Sequence, residues 1–258
     1  MRRHSRSFAK IHQKQKALLA GLLLFISGSA MALPPGFVYL QQVDSSIQRD
    51  MRYAGKHNFV GRPIHGYTKP QCILTKEAAA ALAKVQKELA QSSLSLKVYD
   101  CYRPVDAVAD FVAWSKLPHH QEMKAEFYPN VDKTELFAKG YIAEQSSHSR
   151  GSTIDVTIVP LPYLAQPNYR PGQKLVSCTA PYLQRYRDNS IDMGTGYDCF
   201  DEHAWPDNTD INLVAKQNRL LLTEIMKKYG FTPYDKEWWH FTLSDEPHPN
   251  ESFNFPVQ

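Results

Sequence analysis

Two short segments, far apart in the chain, set the strictest condition on its fold. Ser146-Ser147-His148-Ser149-Arg150-Gly151-Ser152-Thr153-Ile154-Asp155 carries an imidazole and a carboxylate, and Glu237-Trp238-Trp239-His240 carries a second of each. Two imidazoles and one carboxylate are the ligand types of a catalytic zinc, with one carboxylate left over to move protons. A fold that uses them together must bring the second segment back beside the first.

Side-chain alternation sharpens the first segment. A strand over 152–158 puts Ile154, Val156 and Ile158 on one face and Thr153, Asp155 and Thr157 on the other. Gly151 tolerates positive φ, so the chain is free to turn there and return His148 toward Asp155. A buried aspartate in such a strand needs a partner. On this motif alone a metal ligand and a turn cap or Arg150 partner are equally good accounts of Asp155.

The second segment reads as a strand through Trp238–Thr242, in which Glu237 and His240 have opposite parity. Both cannot point inward from a regular strand, so Glu237 is expected at the strand entry, in a turn or bulge after Pro233-Tyr234-Asp235-Lys236. There it can lean over a metal without binding it. A catalytic zinc keeps one position open for water, and a nearby carboxylate can relay that water's proton to a leaving amine. The alternative is a hydrogen-bonded Glu237–His240 pair beneath two core tryptophans. Arg103, at the start of a helix, adds a guanidinium suited to charge that builds on a carbonyl oxygen under attack. Together these residues predict a zinc hydrolase.

Residues 1–32 read as a signal peptide. Arg2, Arg3, Arg6, Lys10, Lys14 and Lys16 precede an apolar run, Ala17 to Ile26, and Ala30-Met31-Ala32 supplies small residues for cleavage. The run is short for a membrane span; an uncleaved anchor or a buried helix is the competing account. Cleavage leaves residues 33–258 and removes six positive charges, turning the formal +4 into −2. The basic balance is therefore no argument for a nucleic-acid partner, and no stable membrane insertion is expected once the leader is gone. The four cysteines all lie in the mature part, as suits an oxidising compartment. Chain proximity favours Cys72 with Cys101 and Cys178 with Cys199, although three pairings are formally open.

Elsewhere helix and strand patterns mix. A helix is expected over 76–90 behind Thr75, then a half-buried strand with Leu94, Leu96 and Val98 inward, then a helix opened by Pro104. Val214, Leu221 and Ile225 mark another helix, ending at Gly230, and 160–210 reads as loop. The irregular order favours an α+β class in one domain. His119 and His120 read as solvated, and His57, His65, His203 and His248 as lacking a spaced partner.

Tyr102-Arg103-Pro104, Ser146-x-His148-x-x-Gly151-x-x-x-Asp155 and Glu237-Trp238-Trp239-His240 resemble the signature of the D-alanyl-D-alanine dipeptidases, a zinc family that also holds peptidoglycan carboxypeptidases. Asp50-Met51-Arg52-Tyr53, Tyr128-Pro129-Asn130 and Asp245-Glu246-Pro247 extend the likeness over most of the chain. The resemblance implies a compact α+β fold with a central antiparallel sheet and one zinc on His148, Asp155 and His240. It makes Glu237 the general base and acid and Arg103 the stabiliser of the tetrahedral intermediate. It further implies Ser146 as pocket lining, Asp198 near the substrate's amino end, and free D-Ala-D-Ala as substrate. With the leader, it implies a periplasmic enzyme. The 160–191 segment is longer than in compact members, which bears on Asp198. A carboxypeptidase with the same zinc site is the nearer alternative, and a non-catalytic zinc-stabilised wall-binding module the more distant one. The sequence specifies no oligomeric state.

Overall fold

A computed structural model describes residues 32–258, so the expected signal peptide falls outside the described residues except for Ala32. The elements run β1 (Phe37–Tyr39), α1 (Leu40–Val43), β2 (Gln48–Arg49), β3 (Ile73–Thr75), α2 (Lys76–Ala90), β4 (Leu94–Asp100), α3 (Val105–Ser115) and α4 (Lys124–Phe127), followed by β5 (Thr153–Pro160), α5 (Leu213–Lys228), β6 (Phe231–Tyr234) and β7 (Glu237–Leu243). Leu33–Gln258 form one compact α+β unit.

Five strands form the central sheet in the order β2-β4-β5-β7-β6. All neighbours are antiparallel except the short edge strand β2, which lies parallel to β4. β1 and β3 make a separate antiparallel pair. In this order β5 and β7 are adjacent, with Asp155 directly opposite His240. The two chemistry-bearing segments thus meet at mid-sheet.

Local signals fix several elements as the sequence predicts. The Thr75 hydroxyl accepts the Ala78 N–H and caps α2. Ala78, Leu82, Val85 and Leu89 of α2 join Leu96, Val98, Ile154, Val156 and Ile158 in one apolar cluster. Each buried Leu, Val or Ile among them contributes about 1.5–3 kcal/mol relative to exposure. A second, aromatic cluster gathers Phe37, Tyr53, Phe59, Tyr102, Phe111, Trp114 and Phe200 around α3. It forms the floor beside Arg103.

Three expectations need correction. β4 is not half-buried: Ser95, Lys97 and Tyr99 are as enclosed as the alternating Leu96 and Val98. The 160–191 segment covers that face, placing the Asp188 carboxylate on Tyr99 Oη and near Lys97 Nζ. α5 has the expected extent, but Val214 and Leu221 point outward, 57% and 40% exposed, while Ala215, Leu222, Ile225 and Met226 face the core. Arg219 is buried among them because its guanidinium donates to the carbonyls of Met193, Trp205 and His203. His57, also expected to lack a partner, is buried and bonded through Nε2 to Glu126. His119 and His120 are exposed, as expected.

Candidate active site and metal centre

Ser146 caps a 3-10 turn, its Oγ accepting the His148 N–H at 3.3 Å, and the turn ends at Gly151 with φ 84°. That left-handed residue sends the chain straight into β5, so His148 and Asp155 face each other across a few residues. An alanine there would set its Cβ 2.3 Å from Phe37 Cε1, so glycine is required for space as well as for φ.

His148 Nε2 and His240 Nδ1 each stand 3.2 Å from Asp155 Oδ1, and 3.3 Å from one another. His148 Nδ1 donates to the Cys101 carbonyl at 2.7 Å, which leaves Nε2 as a bare lone pair. His240 Nε2 faces Ser147 Oγ at 3.2 Å, leaving Nδ1 for the site. Asp155 Oδ1 is buried and accepts no hydrogen bond from the protein. Three acceptors are thus aimed at one point with no donor among them. Ligand atoms of a tetrahedral cation bonded at roughly 2.0–2.1 Å stand about 3.3 Å apart, so the observed spacing fits such an ion. Among the described residues this is the group of His, Asp and Glu side chains placed to hold a metal.

The electrostatics agree. Burial opposes charge on Asp155, yet His148 and His240 hold its carboxyl far below the usual range. Burial would likewise lower His240, but Asp155 and Glu237 push it up to about 9. The carboxylates facing the two imidazoles make a negative field in which positive charge is favoured.

Glu237 is the first residue of β7, beyond a register shift between Pro233 and Tyr234. This irregularity resolves the parity conflict: Glu237 Oε2 lies 3.4 Å from His240 Nδ1 although the two have opposite parity. Arg103 extends beside the metal group, with Nε and Nη2 each 2.9 Å from Asp100 Oδ2 and Nη2 3.8 Å from Asp155 Oδ2. Asp198 lies on the same cleft, 5% exposed, taking the Tyr53 hydroxyl at 2.9 Å. Burial first, then Asp155 and Glu237, raises its carboxyl well above the ordinary value. A cationic ligand group would reverse that. These residues, with Ser146, line a cleft of 390 Å³ whose apolar wall includes Phe111, Phe200 and Tyr234. All seven candidate residues named from sequence therefore converge.

Sequence reasoning missed Asp100 and Tyr197. Asp100 is fully buried, accepts the Tyr67 hydroxyl at 2.7 Å and anchors Arg103. It shares the site's face only because a bulge separates Val98 from Asp100, and no residue pattern marks that bulge. Tyr197, in the long loop, donates to Asp155 Oδ2 at 2.9 Å.

Both expected disulfides form, Cys72–Cys101 and Cys178–Cys199. The first braces the segment whose Cys101 carbonyl orients His148; the second closes the loop bearing Tyr197 and Asp198.

The family model for the D-ala-D-ala dipeptidases matches residues 34–165 and 163–258. The chain belongs to that family. It is similar to the D-alanyl-D-alanine dipeptidase of Enterococcus faecalis, 38% identical over 86% of this chain and 98% of the relative. The enzyme of that name from Enterococcus faecium is 35% identical over the same shares. The one from Escherichia coli is 31% identical over 80% of this chain and 83% of the relative. Membership makes this chain a metallopeptidase, and the His148–Asp155–His240 group is where the described residues fit a metal. Among the described residues no helix is long and apolar enough to cross a membrane.

Proposed function

We propose that this chain is a periplasmic zinc peptidase that hydrolyses free D-alanyl-D-alanine to two D-alanines. The observation that carries the reading is the convergence of three metal-type acceptors and the Glu237 carboxylate on one cleft of a chain in this family. His148, Asp155 and His240 would hold the zinc. Two imidazoles and a single carboxylate suit zinc better than magnesium or calcium, which prefer oxygen shells. When bound, it supplies Lewis-acid polarisation of the scissile carbonyl and acidifies water.

The remaining work falls to the protein. Glu237, half-buried at the cleft and close to His240, takes the proton of the attacking water and passes it to the departing amine. Arg103, held by Asp100, is already fixed when negative charge grows on the carbonyl oxygen, so little reorganisation opposes the transition state. Ser146 sets the turn under His148 and also lies 3.5 Å from Arg103 Nη1. Asp198 offers a negative charge to the substrate ammonium from a dry wall, where a charge-assisted bond is strong.

Asp198 favours a dipeptidase over a carboxypeptidase, because a stem peptide would bring a neutral amide where the carboxylate waits. The test is hydrolysis of D-Ala-D-Ala, its N-acetyl form and a D-Ala-D-Ala-terminated pentapeptide, with released D-alanine measured. Efficient turnover of the free dipeptide and little of the other two is expected; comparable kcat/KM on all three assigns the carboxypeptidase. For residues 1–32 we propose cleavage and export. Intact mass of periplasmic protein should correspond to residues 33–258 with two disulfides, and a chain still beginning at Met1 would refute export by cleavage.

A further inference from the structure

The two oxygens of Asp155 have different surroundings. Oδ1 faces His148 Nε2 and His240 Nδ1 and accepts no hydrogen bond. Oδ2 receives the Tyr197 hydroxyl at 2.9 Å, with Arg103 Nη2 farther off at 3.8 Å. We infer that Tyr197 is a positioning residue for the metal centre, locking Asp155 so that Oδ1 alone is presented to the ion. The inference rests on the metal site proposed above.

The neighbouring phenol leaves the Tyr197–Asp155 contact undisturbed. Tyr53 donates to Asp198 at 2.9 Å and Tyr197 to Asp155 at 2.9 Å, while the two phenol oxygens stand 3.4 Å apart, the longest of the three contacts. Without the Tyr197 hydroxyl, Oδ2 is a buried anionic oxygen with Arg103 as its remaining neighbour. The carboxylate is then free to rotate, and Oδ1 is no longer the one oxygen held toward the two imidazoles. A single rigid acceptor binds a small cation better than one that must first be oriented.

Tyr197 is built to stay still. Its ring stacks on Tyr99 at 4.3 Å with an interplanar angle of 14° and meets Trp239 edge-on at 5.4 Å. The adjacent Gly196 N–H donates to the Cys178 carbonyl, and Cys178 is bonded to Cys199 two residues beyond Tyr197. One disulfide loop therefore carries two consecutive side chains with separate tasks. Tyr197 serves a metal ligand and Asp198 the substrate side.

The test is zinc affinity of Tyr197→Phe, by competition with a chromophoric chelator, beside wild type and Tyr182→Phe. Tyr182 loses a hydroxyl that donates to the Ser190 carbonyl at 2.6 Å, outside the metal group, and controls for removing a hydroxyl from the same long segment. Tyr197→Phe is expected to weaken zinc binding about tenfold or more and to change the visible bands of the cobalt-substituted protein. Its metal-free thermal midpoint should stay near that of Tyr182→Phe. Zinc affinity within twofold of wild type overturns the role of Tyr197 while leaving the metal site intact. Collapse of the metal-free variant alone makes Tyr197 a structural residue and also overturns it. A wild-type chain that binds no zinc overturns the metal site itself, and this inference with it.

Discussion

Gly151 and Gly172 share a backbone conformation, φ 84° in both, but not an environment, and this makes a paired test of how the site is held. A Cβ at residue 172 meets nothing within 4 Å, whereas at residue 151 it lies 2.3 Å from Phe37 Cε1 and 2.9 Å from Cζ. Phe37 has little room to yield, since Tyr102, Phe253 and Phe255 pack edge-on against it at 5.7, 4.9 and 5.0 Å. Alanine at either position costs roughly 1–2 kcal/mol for the left-handed conformation. At residue 151 the forced contact adds about 1–3 kcal/mol, the usual scale of overpacking. Gly151→Ala should therefore lose about 2–5 kcal/mol and Gly172→Ala about 1–2 kcal/mol. Urea unfolding with disulfides intact reads the difference directly, and a chain of this size should lose roughly 2–4 °C of Tm per kcal/mol. Phe37→Leu should recover part of the Gly151→Ala loss and none of the Gly172→Ala loss. Because residue 151 sets the path from His148 to Asp155, zinc affinity should fall in Gly151→Ala alone. Equal losses at the two positions would refute the steric argument and leave φ as the whole reason for glycine.

Two further outcomes follow from the same geometry. Glu237→Gln should retain zinc yet lose two or more orders of magnitude in turnover, about the scale of acid–base catalysis, whereas His240→Ala should lose most of its zinc in metal analysis; the reverse pattern would exchange their roles. Asp188, buried and opposed by that burial but held by Lys97 and Arg52, has its carboxyl lowered from 3.8 to about 2. A depressed folded pKa means stability that is present above pH ~4 and lost as pH falls toward 2, about 2 kcal/mol in all. Asp188→Asn should be less stable than wild type at pH 6 and lose less on acidification; parallel stability profiles would show that this carboxylate does not report on folding.

Short-range chemistry is what the sequence determined by itself. The approach of His148 to Asp155 needs only a glycine turn and the alternation of one strand, α2 needs only its Thr75 cap and helical spacing, and Glu237 was placed at a strand entry by parity alone. Each depends on residues a few positions apart, where covalent geometry leaves few choices. Pairing of β5 with β7, which sets Asp155 opposite His240, follows from no local pattern, although the metal-type residues at both ends required it. Other features were decided by tertiary structure because periodicity says which residues share a face but not which face is covered. α5 carries apolar side chains on both sides, and it buries Leu222, Ile225 and Met226 rather than Val214 and Leu221. β4 alternates as a half-exposed strand does, yet the 160–191 segment encloses Lys97 with Asp188. Asp100 reaches Arg103 through a bulge, and Tyr197 reaches Asp155 from an irregular loop closed by a disulfide. Such contacts join residues with no shared period, so only the packed chain brings them into existence.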